Sequence, residues 1–237
     1  MPGAKRILCI DVGGTGLKAA VISTSGKYLA KRARVKTAKR RKPKNIVKQL
    51  TDLVVPLGRF DRVTIGFPGM VKNGKVISAP HFGTKDWKDF ALASVMEKKL
   101  GKPVKLLNDA DVQGLAAIRG KGLELVCTLG TGFGTAWFRD GVLLPHMDLA
   151  HLAMHSKDDF DVIVGDTTRR EIGTRRWNNR IRKLIAVLET VFSFDHLYLG
   201  GGNSACIDFR LPRNVTIVSN DAGMEGGAFA WKHLPKK

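Results

Sequence analysis

Short apolar runs alternate with amphipathic stretches along the chain, and this alternation predicts a mixed α/β protein. Three apolar runs joined by turns predict a meander of strands near the N-terminus, over residues 7–11, 17–22 and 28–35. A second meander of the same kind is predicted over residues 123–129, 134–138 and 142–144. Because the second half of the chain repeats the organisation of the first, we expect two α/β lobes.

Apolar positions at helical spacing predict the helices that connect these strands. The predicted helices cover residues 43–57, 86–100, 108–119, 177–192 and 222–231. Single strands are predicted over residues 62–66, 104–107, 196–199 and 215–218. The helix at 108–119 separates the two meanders, so we expect an N-terminal lobe over 1–107 and a C-terminal lobe over 108–221. The closing segment 222–237 is expected to pack back onto the N-terminal lobe.

The composition is that of a globular chain with an unusual excess of positive charge. The 237 residues are 43% hydrophobic and include 26 glycines, which excludes collagen, extended disorder and a disulfide miniprotein. Forty Lys and Arg against 21 Asp and Glu give a formal net charge of +19. Such a charge predicts a polyanionic partner or substrate, for which nucleic acid, an anionic membrane and polyphosphate are the candidates.

The positive charge is concentrated in two basic runs. Lys31–Lys44 has nine basic residues and no acidic one, and Arg169–Lys183 has seven basic residues and one acidic one. They are either solvated faces or a track for a polyanion, and polyphosphate fits them better than nucleic acid because only Trp177 and few other aromatics accompany them.

Cysteine usage and apolar run length favour a soluble, cytoplasmic protein. Cys9, Cys127 and Cys206 lie far apart beside apolar runs, without metal-ligand spacing, and are predicted to be buried thiols. No apolar stretch reaches the roughly 18 residues of a membrane span, and the N-terminus leads directly into a strand.

Two glycine-rich turns, each between paired strands, are the strongest chemical signal. The first is Asp11-Val-Gly-Gly-Thr-Gly16 and the second is Leu129-Gly-Thr-Gly-Phe-Gly134. Backbone N–H groups of such turns bind phosphate, the threonine adds a hydroxyl, and Asp11 is suited to orient a magnesium ion. A single turn of this kind is also explained by a hairpin that needs glycine, but two with the same plan indicate phosphate chemistry.

A polar segment, Asn108-Asp109-Ala-Asp111, follows a predicted buried strand and opens a helix. One of these side chains caps the helix, because free backbone N–H groups at a helix start need an acceptor. A cap needs only one of the three, and a carboxylate between two phosphate loops is suited to accept a hydroxyl proton. We therefore predict that Asp109 is a general base.

Five motifs together resemble the ROK family of sugar kinases. In chain order they are Asp11-Val-Gly-Gly-Thr15, Gly66-Phe-Pro-Gly69, Leu107-Asn-Asp-Ala-Asp111, Leu129-Gly-Thr-Gly132 and Gly200-Gly-Gly202. Within the family the chain is similar to the polyphosphate glucokinase branch, over nearly its whole length. The resemblance implies the actin/hexokinase-like ATPase fold, with two RNase H-like lobes that close over a sugar and a phosphoryl donor.

The resemblance also implies roles for individual residues. Asp109 takes the proton of the sugar 6-hydroxyl, and Asp11 organises Mg²⁺, directly or through water. The phosphate-binding residues are Gly13, Gly14, Thr15, Gly130, Thr131 and Gly132. The sugar-binding residues are Gly69, Asn108, Asp109, Asp148 and His151. The turn Gly200, Gly201 and Gly202 lines the end of the site that takes a nucleotide base.

The sugar segment departs from the family pattern. The family has Glu-x-Gly-His where this chain has Asp148-Leu-Ala-His151, and the family's cysteine-rich zinc motif after the histidine is absent. His151 has no cysteines near it to share a zinc ion, so it is expected to contact the sugar, with a packed surface histidine as the alternative.

These implications define one leading function and two alternatives. The leading one is magnesium-dependent phosphorylation of glucose to glucose 6-phosphate, with inorganic polyphosphate or ATP as donor. The alternatives are an ATP-dependent kinase for another hexose, such as mannose or an amino sugar, and a non-catalytic protein that binds a sugar or a polyanion. No membrane partner is expected, nucleic acid is disfavoured, and a homodimer is left open.

Overall fold

Two five-stranded sheets, one in each half of the chain, organise the protein. The structure is a computed structural model and describes residues 6–155, 158–219 and 223–233. The chain divides into two compact units, Met1–Ala116 with Ala222–Lys237, and Ala117–Asp221. The first unit therefore draws on both ends of the chain, and it includes most of the helix that the sequence analysis assigned to the second lobe.

The first unit contains the following elements in chain order: β1 (Arg6–Val12), β2 (Gly16–Ser23), β3 (Ala33–Lys36), α1 (Pro43–Val54), β4 (Arg62–Phe67), β5 (Val71–Lys72), β6 (Lys75–Val76), α2 (Thr84–Trp87), α3 (Leu92–Leu100), β7 (Val104–Asn108) and α4 (Asp109–Ala117). A 3₁₀ turn, Val55–Leu57, follows α1. Strands β5 and β6 form a separate small hairpin.

The first sheet has the strand order β3-β2-β1-β4-β7. Strands β1, β4 and β7 are parallel, whereas β2 and β3 are antiparallel to their neighbours. Successive side chains of a strand point to opposite faces, so β1 contributes to two cores. Leu8 and Ile10 pack into the core that includes residues of α1 and α3, while Ile7 and Cys9 pack on the other face.

The second unit contains β8 (Leu123–Leu129), β9 (Phe133–Arg139), β10 (Val142–Leu143), β11 (Ala153–His155), β12 (Asp158–Asp159), α5 (Phe160–Val164), α6 (Asp166–Ile172), α7 (Thr174–Phe192), β13 (His196–Gly200) and β14 (Val215–Ile217). Two 3₁₀ turns, Leu149–His151 and Gly202–Cys206, lie among them. Helix α8 (Gly226–His233) then belongs to the first unit.

The second sheet repeats the first, with the strand order β10-β9-β8-β13-β14 and the same sequence of antiparallel and parallel pairs. One face of this sheet packs against α5 and α7, with the fully buried Trp177 in the core. The Trp177 indole N–H donates to the Val164 carbonyl, 2.8 Å away, so this ring is no surface for stacking bases. The repeated topology is that of the actin/hexokinase-like fold and confirms the predicted fold class.

Helix α8 packs against β1 and β4 on the face that carries Cys9. The Trp231 indole N–H donates to Thr64 Oγ1 (2.9 Å), and this hydroxyl donates to the Gly227 carbonyl (2.6 Å). The cationic groups of Arg62 and Lys105 each lie 4.8 Å from the centre of the Trp231 ring. Helix α8 is thus fixed by polar and cation–π contacts as well as by apolar packing.

A close backbone approach between α8 and α4 makes Gly226 sensitive to any side chain. A Cβ atom at this position would collide with the Val112 carbonyl and lie 3.2 Å from the Ala116 nitrogen. We expect Gly226→Ala to lower the free energy of unfolding by about 2–3 kcal/mol, because backbone cannot move aside as a flexible side chain does. Chemical denaturation measures this. Gly14→Ala is the control, since a Cβ there meets nothing within 4 Å, and an equal loss in both variants would contradict the prediction.

Two predicted elements differ from the structure. The strand predicted over 28–35 is shorter, because its pairing with β2 is interrupted. Tyr28 bridges to Ile22 and Ala33 pairs with Ala19, so the four residues between Tyr28 and Ala33 lie opposite only two residues of β2. The helix predicted over 86–100 is broken into α2 and α3. Asp89 adopts a left-handed conformation (φ 60°), and its N–H donates to the Val76 carbonyl instead of continuing the helix.

The closing helix was predicted over 222–231 and is observed as α8, while residues 222 and 234–237 of the predicted segment lie outside the described residues. Cys9 and Cys127 are buried as predicted, and burial raises the pKa of both thiols, whereas Cys206 is only half-buried. Among the described residues, none of the helices combines the length and the apolar character needed to span a bilayer.

Candidate active site

The carboxyl ends of three adjacent parallel strands meet at one edge of the first sheet. The register places Asp11 of β1 beside Gly66 of β4, and Gly66 beside Leu107 of β7. Asn108 ends β7 and Asp109 begins α4. Ligands of open α/β sheets bind at this edge, so the strand order itself gathers the predicted acids at one place.

Gly66 allows α4 to begin close to the sheet. A Cβ atom at Gly66 would lie 3.6 Å from the Asp109 Cα atom and 3.4 Å from Val112 Cγ2. The first turn of α4 therefore packs against β4 at a residue without a side chain. This packing holds the Asp109 backbone near the end of β1.

The environment of Asp109 favours the protonated acid. Burial raises the pKa of Asp109 to about 7, and the negative charges of Asp11 and Asp111 add to the shift, while a hydrogen bond from the Ala110 N–H acts in the opposite direction. A carboxyl group whose pKa lies near neutrality exchanges a proton readily at physiological pH. This property is suited to general acid–base chemistry.

Asn108 is the helix cap, and both ends of its amide are used. Its Oδ1 accepts from the Ala110 N–H at 2.7 Å, and its Nδ2 donates to the Gly69 carbonyl at 3.1 Å. The Ala110 N–H also lies 3.0 Å from Asp109 Oδ1. Asn108 is therefore the capping residue that the sequence analysis left unassigned, and it links the predicted sugar residue Gly69 to the start of α4.

Gly69 itself lies in a tightly packed loop. A Cβ atom there would collide with the Ser78 carbonyl oxygen, and the Ser78 Oγ accepts from the neighbouring Met70 N–H at 3.1 Å. The backbone around Gly69 thus leaves no room for a side chain at this position.

The first glycine turn is closed by its own backbone and by Thr37. The Gly13 N–H donates to the Gly16 carbonyl (3.1 Å). Thr37 donates from Oγ1 to the Gly13 carbonyl (2.7 Å) and from its N–H to the Thr15 carbonyl (3.2 Å). These bonds occupy the carbonyl side of the turn. Within the described part of the chain, the N–H groups of Gly14 and Thr15 donate to no protein acceptor.

Lys18 is a site residue that the sequence analysis missed. It lies directly opposite Asp11 in the β1–β2 register, and its Nζ is 2.8 Å from Asp11 Oδ2. Both side chains are about one-third exposed. The tight turn over 13–16 was the signal that would have found this pair, because it fixes the register of the hairpin.

Asp11 is suited to hold Mg²⁺ as a single carboxylate ligand. Among the described residues, no group of three or more His, Cys, Asp or Glu side chains is arranged to hold a metal ion. Magnesium keeps several of its waters and binds through one or two carboxylates together with substrate phosphates. A single partly exposed carboxylate beside the predicted phosphate turn therefore fits this ion.

The second glycine turn lies in the second unit and is supported from two sides. Its Gly130 N–H donates to the Gly132 carbonyl (3.0 Å), so this turn is also closed by its own backbone, with a bond one residue shorter in span than that of the first turn. Asp161 Oδ1 accepts from the Phe133 N–H (2.7 Å), and a Cβ atom on Gly132 would collide with this carboxylate. Asp161 was not predicted, since no motif marks it in the sequence.

A polar network joins the second turn to Gly200–Gly202. The Gly130 carbonyl accepts from the Asp166 N–H (3.1 Å) and from Asn203 Nδ2 (3.0 Å). Arg169 donates to Asn203 Oδ1 (3.2 Å) and to Asp166 Oδ1 (2.8 Å). Gly201 has φ 86° and packs so closely on the Leu129 backbone that only glycine fits. The residues predicted for the phosphate loop and for the nucleotide end are thus neighbours.

Asp148 and His151 lie at the two ends of one 3₁₀ turn. Asp148 Oδ1 accepts from the Ala150 N–H at 3.3 Å, and His151 Nδ1 lies 3.1 Å from Asp159 Oδ2. The hydrogen bond to Asp159 raises the pKa of His151, whose side chain is 54% exposed. His151 is therefore a solvent-facing histidine that is hydrogen-bonded to Asp159 in this structure.

Comparison with known proteins agrees with the observed fold. The structure superimposes on inorganic polyphosphate/ATP-glucomannokinase from Arthrobacter sp. strain KM with a TM-score of 0.85 and 29% identity, over 96% of this chain and 99% of that one. It matches a ROK family glucokinase from Streptomyces griseus, in complex with glucose and AMPPNP, with a TM-score of 0.75 and 18% identity, over 94% and 98% of the two chains. These likenesses confirm the class of protein, that of the actin/hexokinase-like ATPase fold.

The sequence comparisons then give the family. The ROK family profile matches residues 7–146, and the chain belongs to the ROK family. Polyphosphate glucokinase of Mycobacterium tuberculosis (strain CDC 1551 / Oshkosh) is 28% identical over 93% of this chain and 89% of the relative. The resemblance stated from the five motifs is thereby confirmed.

Proposed function

We propose that this protein is a phosphotransferase that converts glucose to glucose 6-phosphate with inorganic polyphosphate or ATP as donor. The observation that carries the proposal is Asp109, a carboxyl group with a raised pKa at the same sheet edge as the first phosphate turn. The names of the M. tuberculosis and Arthrobacter relatives support the reaction.

Asp109 acts as the general base in this proposal. Its carboxylate accepts the proton of the sugar 6-hydroxyl while the hydroxyl oxygen forms a bond to the terminal phosphorus of the donor. The bond between that phosphorus and the bridging oxygen breaks, and the rest of the donor leaves with the electron pair. Because little covalent work falls to the protein in phosphoryl transfer, most of its contribution is to position groups and neutralise charge.

The two glycine turns bind phosphate oxygens. In the first turn the N–H groups of Gly14 and Thr15, with the Thr15 hydroxyl, supply donors, while Thr37 holds the carbonyl side in place. In the second unit, Gly130, Thr131 and Gly132 provide a turn of the same kind. The Gly200–Gly202 turn beside it forms the nucleotide end when ATP is the donor.

Lys18 and the Mg²⁺ ion that Asp11 would hold balance the negative charge of the transferring group. Asp11 would hold Mg²⁺, directly or through a water, and the ion would neutralise phosphate oxygens when bound. Lys18, which pairs with Asp11, has an ammonium group that contributes to the same positive field. The two residues lie opposite each other on neighbouring strands, so the turn fixes them together.

The sugar is assigned to Gly69, Asn108, Asp148 and His151. Asn108 uses one amide N–H to hold the Gly69 carbonyl and retains a second N–H for a sugar hydroxyl. Another hexose, such as mannose or an amino sugar, is the second candidate, because Asp148 replaces the longer glutamate of the family pattern. The Arthrobacter relative, named a glucomannokinase, supports mannose.

A coupled assay tests this function. Glucose, mannose and glucosamine are each supplied with polyphosphate or ATP and with Mg²⁺, and the 6-phosphate product is measured. We expect glucose with polyphosphate to give the highest kcat/KM. Absence of product with every donor and sugar would overturn the proposal, and preference for ATP with another hexose would replace it with the second candidate.

A further inference from the structure

The basic run Lys31–Lys44 is built into the first phosphate turn. Lys36 of β3 is paired with Gly16, and Arg34 is paired with Lys18, which in turn lies opposite Asp11. A row of charged side chains therefore crosses the sheet from Asp11 to the edge strand. Thr37, the next residue after β3, donates both of its hydrogen bonds to the turn itself.

Neutral contacts hold most of the segment in place and leave most of its charges exposed, although Arg41 donates to the His81 carbonyl and Lys42 lies 4.0 Å from Asp86. Gln49 of α1 accepts from the Ala38 N–H (2.9 Å) and donates to the Lys36 carbonyl (3.1 Å). A Cβ atom on Gly16 would lie 3.3 Å from Arg34 Nε, so the guanidinium group crosses directly over the turn. Eight of the nine basic residues in Lys31–Lys44 are exposed, with Arg41 half-buried. The basic run is therefore an ordered segment of the fold that presents its cations to solvent.

The second basic run is used differently. In Arg169–Lys183, Arg169 and Arg170 are paired with Asp166, and Arg180 donates to the Ile163 carbonyl. Arg182 donates to Asn179 Oδ1 and lies over the Phe209 ring. Four of its seven cations thus have structural partners. The other three cations of this second run are exposed: Arg175, Arg176 and Lys183.

We propose that the exposed basic run Lys31–Lys44, and not Arg169–Lys183, binds the part of a long polyphosphate chain that extends beyond the phosphates held at the Gly13–Thr15 turn. The inference rests on the proposed function and specifies how its polyphosphate donor is bound. A long inorganic chain carries charge along its whole length, so it reaches cations on β3. ATP ends in an uncharged nucleoside and does not.

Polyphosphate suits this surface better than nucleic acid. Residues 31–44 contain no aromatic side chain, whereas single-stranded nucleic acid binds to surfaces that combine cations with rings for base stacking. Arg34 and Lys36 project from the same face of β3, about 6.6 Å apart along the strand, and repeat the positive charge at short intervals.

The test compares two variants with the same change in charge. The first is Arg34→Gln with Lys36→Gln and Lys39→Gln, and the matched control is Arg175→Gln with Arg176→Gln and Lys183→Gln. KM is measured for long-chain polyphosphate, tripolyphosphate and ATP at two salt concentrations, together with direct binding of long-chain polyphosphate. We expect the first variant to raise KM for the long chain about tenfold and that for tripolyphosphate at most about twofold.

The control variant should keep the preference of the wild type for long chains. The long-chain KM of the wild type should rise with salt, because exposed ion contacts are screened over about 8 Å at physiological ionic strength. Equal losses in both variants, no dependence on chain length, or displacement of polyphosphate by an equal charge of single-stranded oligonucleotide would overturn the inference. If no donor supports phosphorylation, the proposed function fails, and the binding measurement still decides the role of the surface.

Discussion

Asp109→Asn is expected to lower kcat by about 10²–10⁴-fold while sugar binding changes only several-fold. The amide keeps the size of the side chain and one acceptor oxygen, but it cannot take the proton of the sugar hydroxyl. Steady-state kinetics with saturating donor measures kcat, and sugar binding is followed by calorimetry. Asp86→Asn is the matched control, since it makes the same change in the first turn of α2. Turnover near the wild-type rate in Asp109→Asn would leave Asp109 with a purely structural role at the start of α4.

The pH dependence gives this substitution a second readout. Because the pKa of Asp109 is raised to about 7, the free enzyme loses its base as the pH falls through neutrality. The wild-type kcat/KM should therefore fall about tenfold for each pH unit below 7, and the residual activity of Asp109→Asn should lack this slope. A slope that persists in the variant would assign the titration to another group.

The same shift predicts that Asp109→Asn stabilises the fold. A carboxyl group whose pKa is raised by folding binds its proton more tightly in the folded state than in the unfolded state. Its ionisation therefore destabilises the fold as the pH rises above the pKa that the group has in the unfolded state. Since Asp109 is half-buried, we expect a gain of about 1–2 kcal/mol at pH 8 that disappears near pH 4. Thermal unfolding at the two pH values measures it, and a variant less stable than the wild type at pH 8 would contradict it.

Asp11→Asn is expected to raise the Mg²⁺ concentration needed for half-maximal rate by roughly 10–100-fold. The substitution removes the carboxylate charge that attracts the ion and leaves Lys18 without its partner. It also removes a negative charge that raises the pKa of Asp109, so the acid limb of the pH profile should move to lower pH. Magnesium titrations and pH profiles of the two proteins test both effects.

A matched ion pair elsewhere provides the control. Asp52 lies 2.6 Å from Lys48 on the exposed face of α1, and Asp52→Asn breaks a Lys–Asp pair away from the turn. This control should leave the magnesium titration unchanged. An unaltered titration in Asp11→Asn would remove Asp11 from metal binding.

Much of the fold followed from the sequence because its strands are short, apolar and bounded by glycine turns. The second meander was predicted over 123–129, 134–138 and 142–144 and is observed at nearly these bounds in β8, β9 and β10. Helix α7 was predicted to begin at Trp177 and begins three residues earlier, at Thr174. Periodicity finds the buried face, but it does not mark the polar first turn of a helix.

The missed features depend on contacts between distant residues. Lys18, Thr37 and Asp161 have no motif of their own, and each is placed at a glycine turn by strand register or by a later segment. The break at Asp89 was hidden because Trp87, Phe90 and Val95 fall at helical spacing, although Trp87 ends α2, Val95 lies in α3 and Phe90 lies in the connection between them. Apolar spacing cannot distinguish one continuous helix from two segments joined by a turn when both segments pack against the same core.

The return of α8 to the first unit sets an order for folding during synthesis. The face of the first sheet formed by Ile7, Cys9 and Ile22 is covered by residues that include Met224 and Ala228, which leave the ribosome only after the whole second unit has been made. This apolar face of the nascent first unit therefore stays exposed until α8 has been synthesised. Chains that stop before α8 will present that face to chaperones or to each other, so the first unit, although it is synthesised first, is completed last.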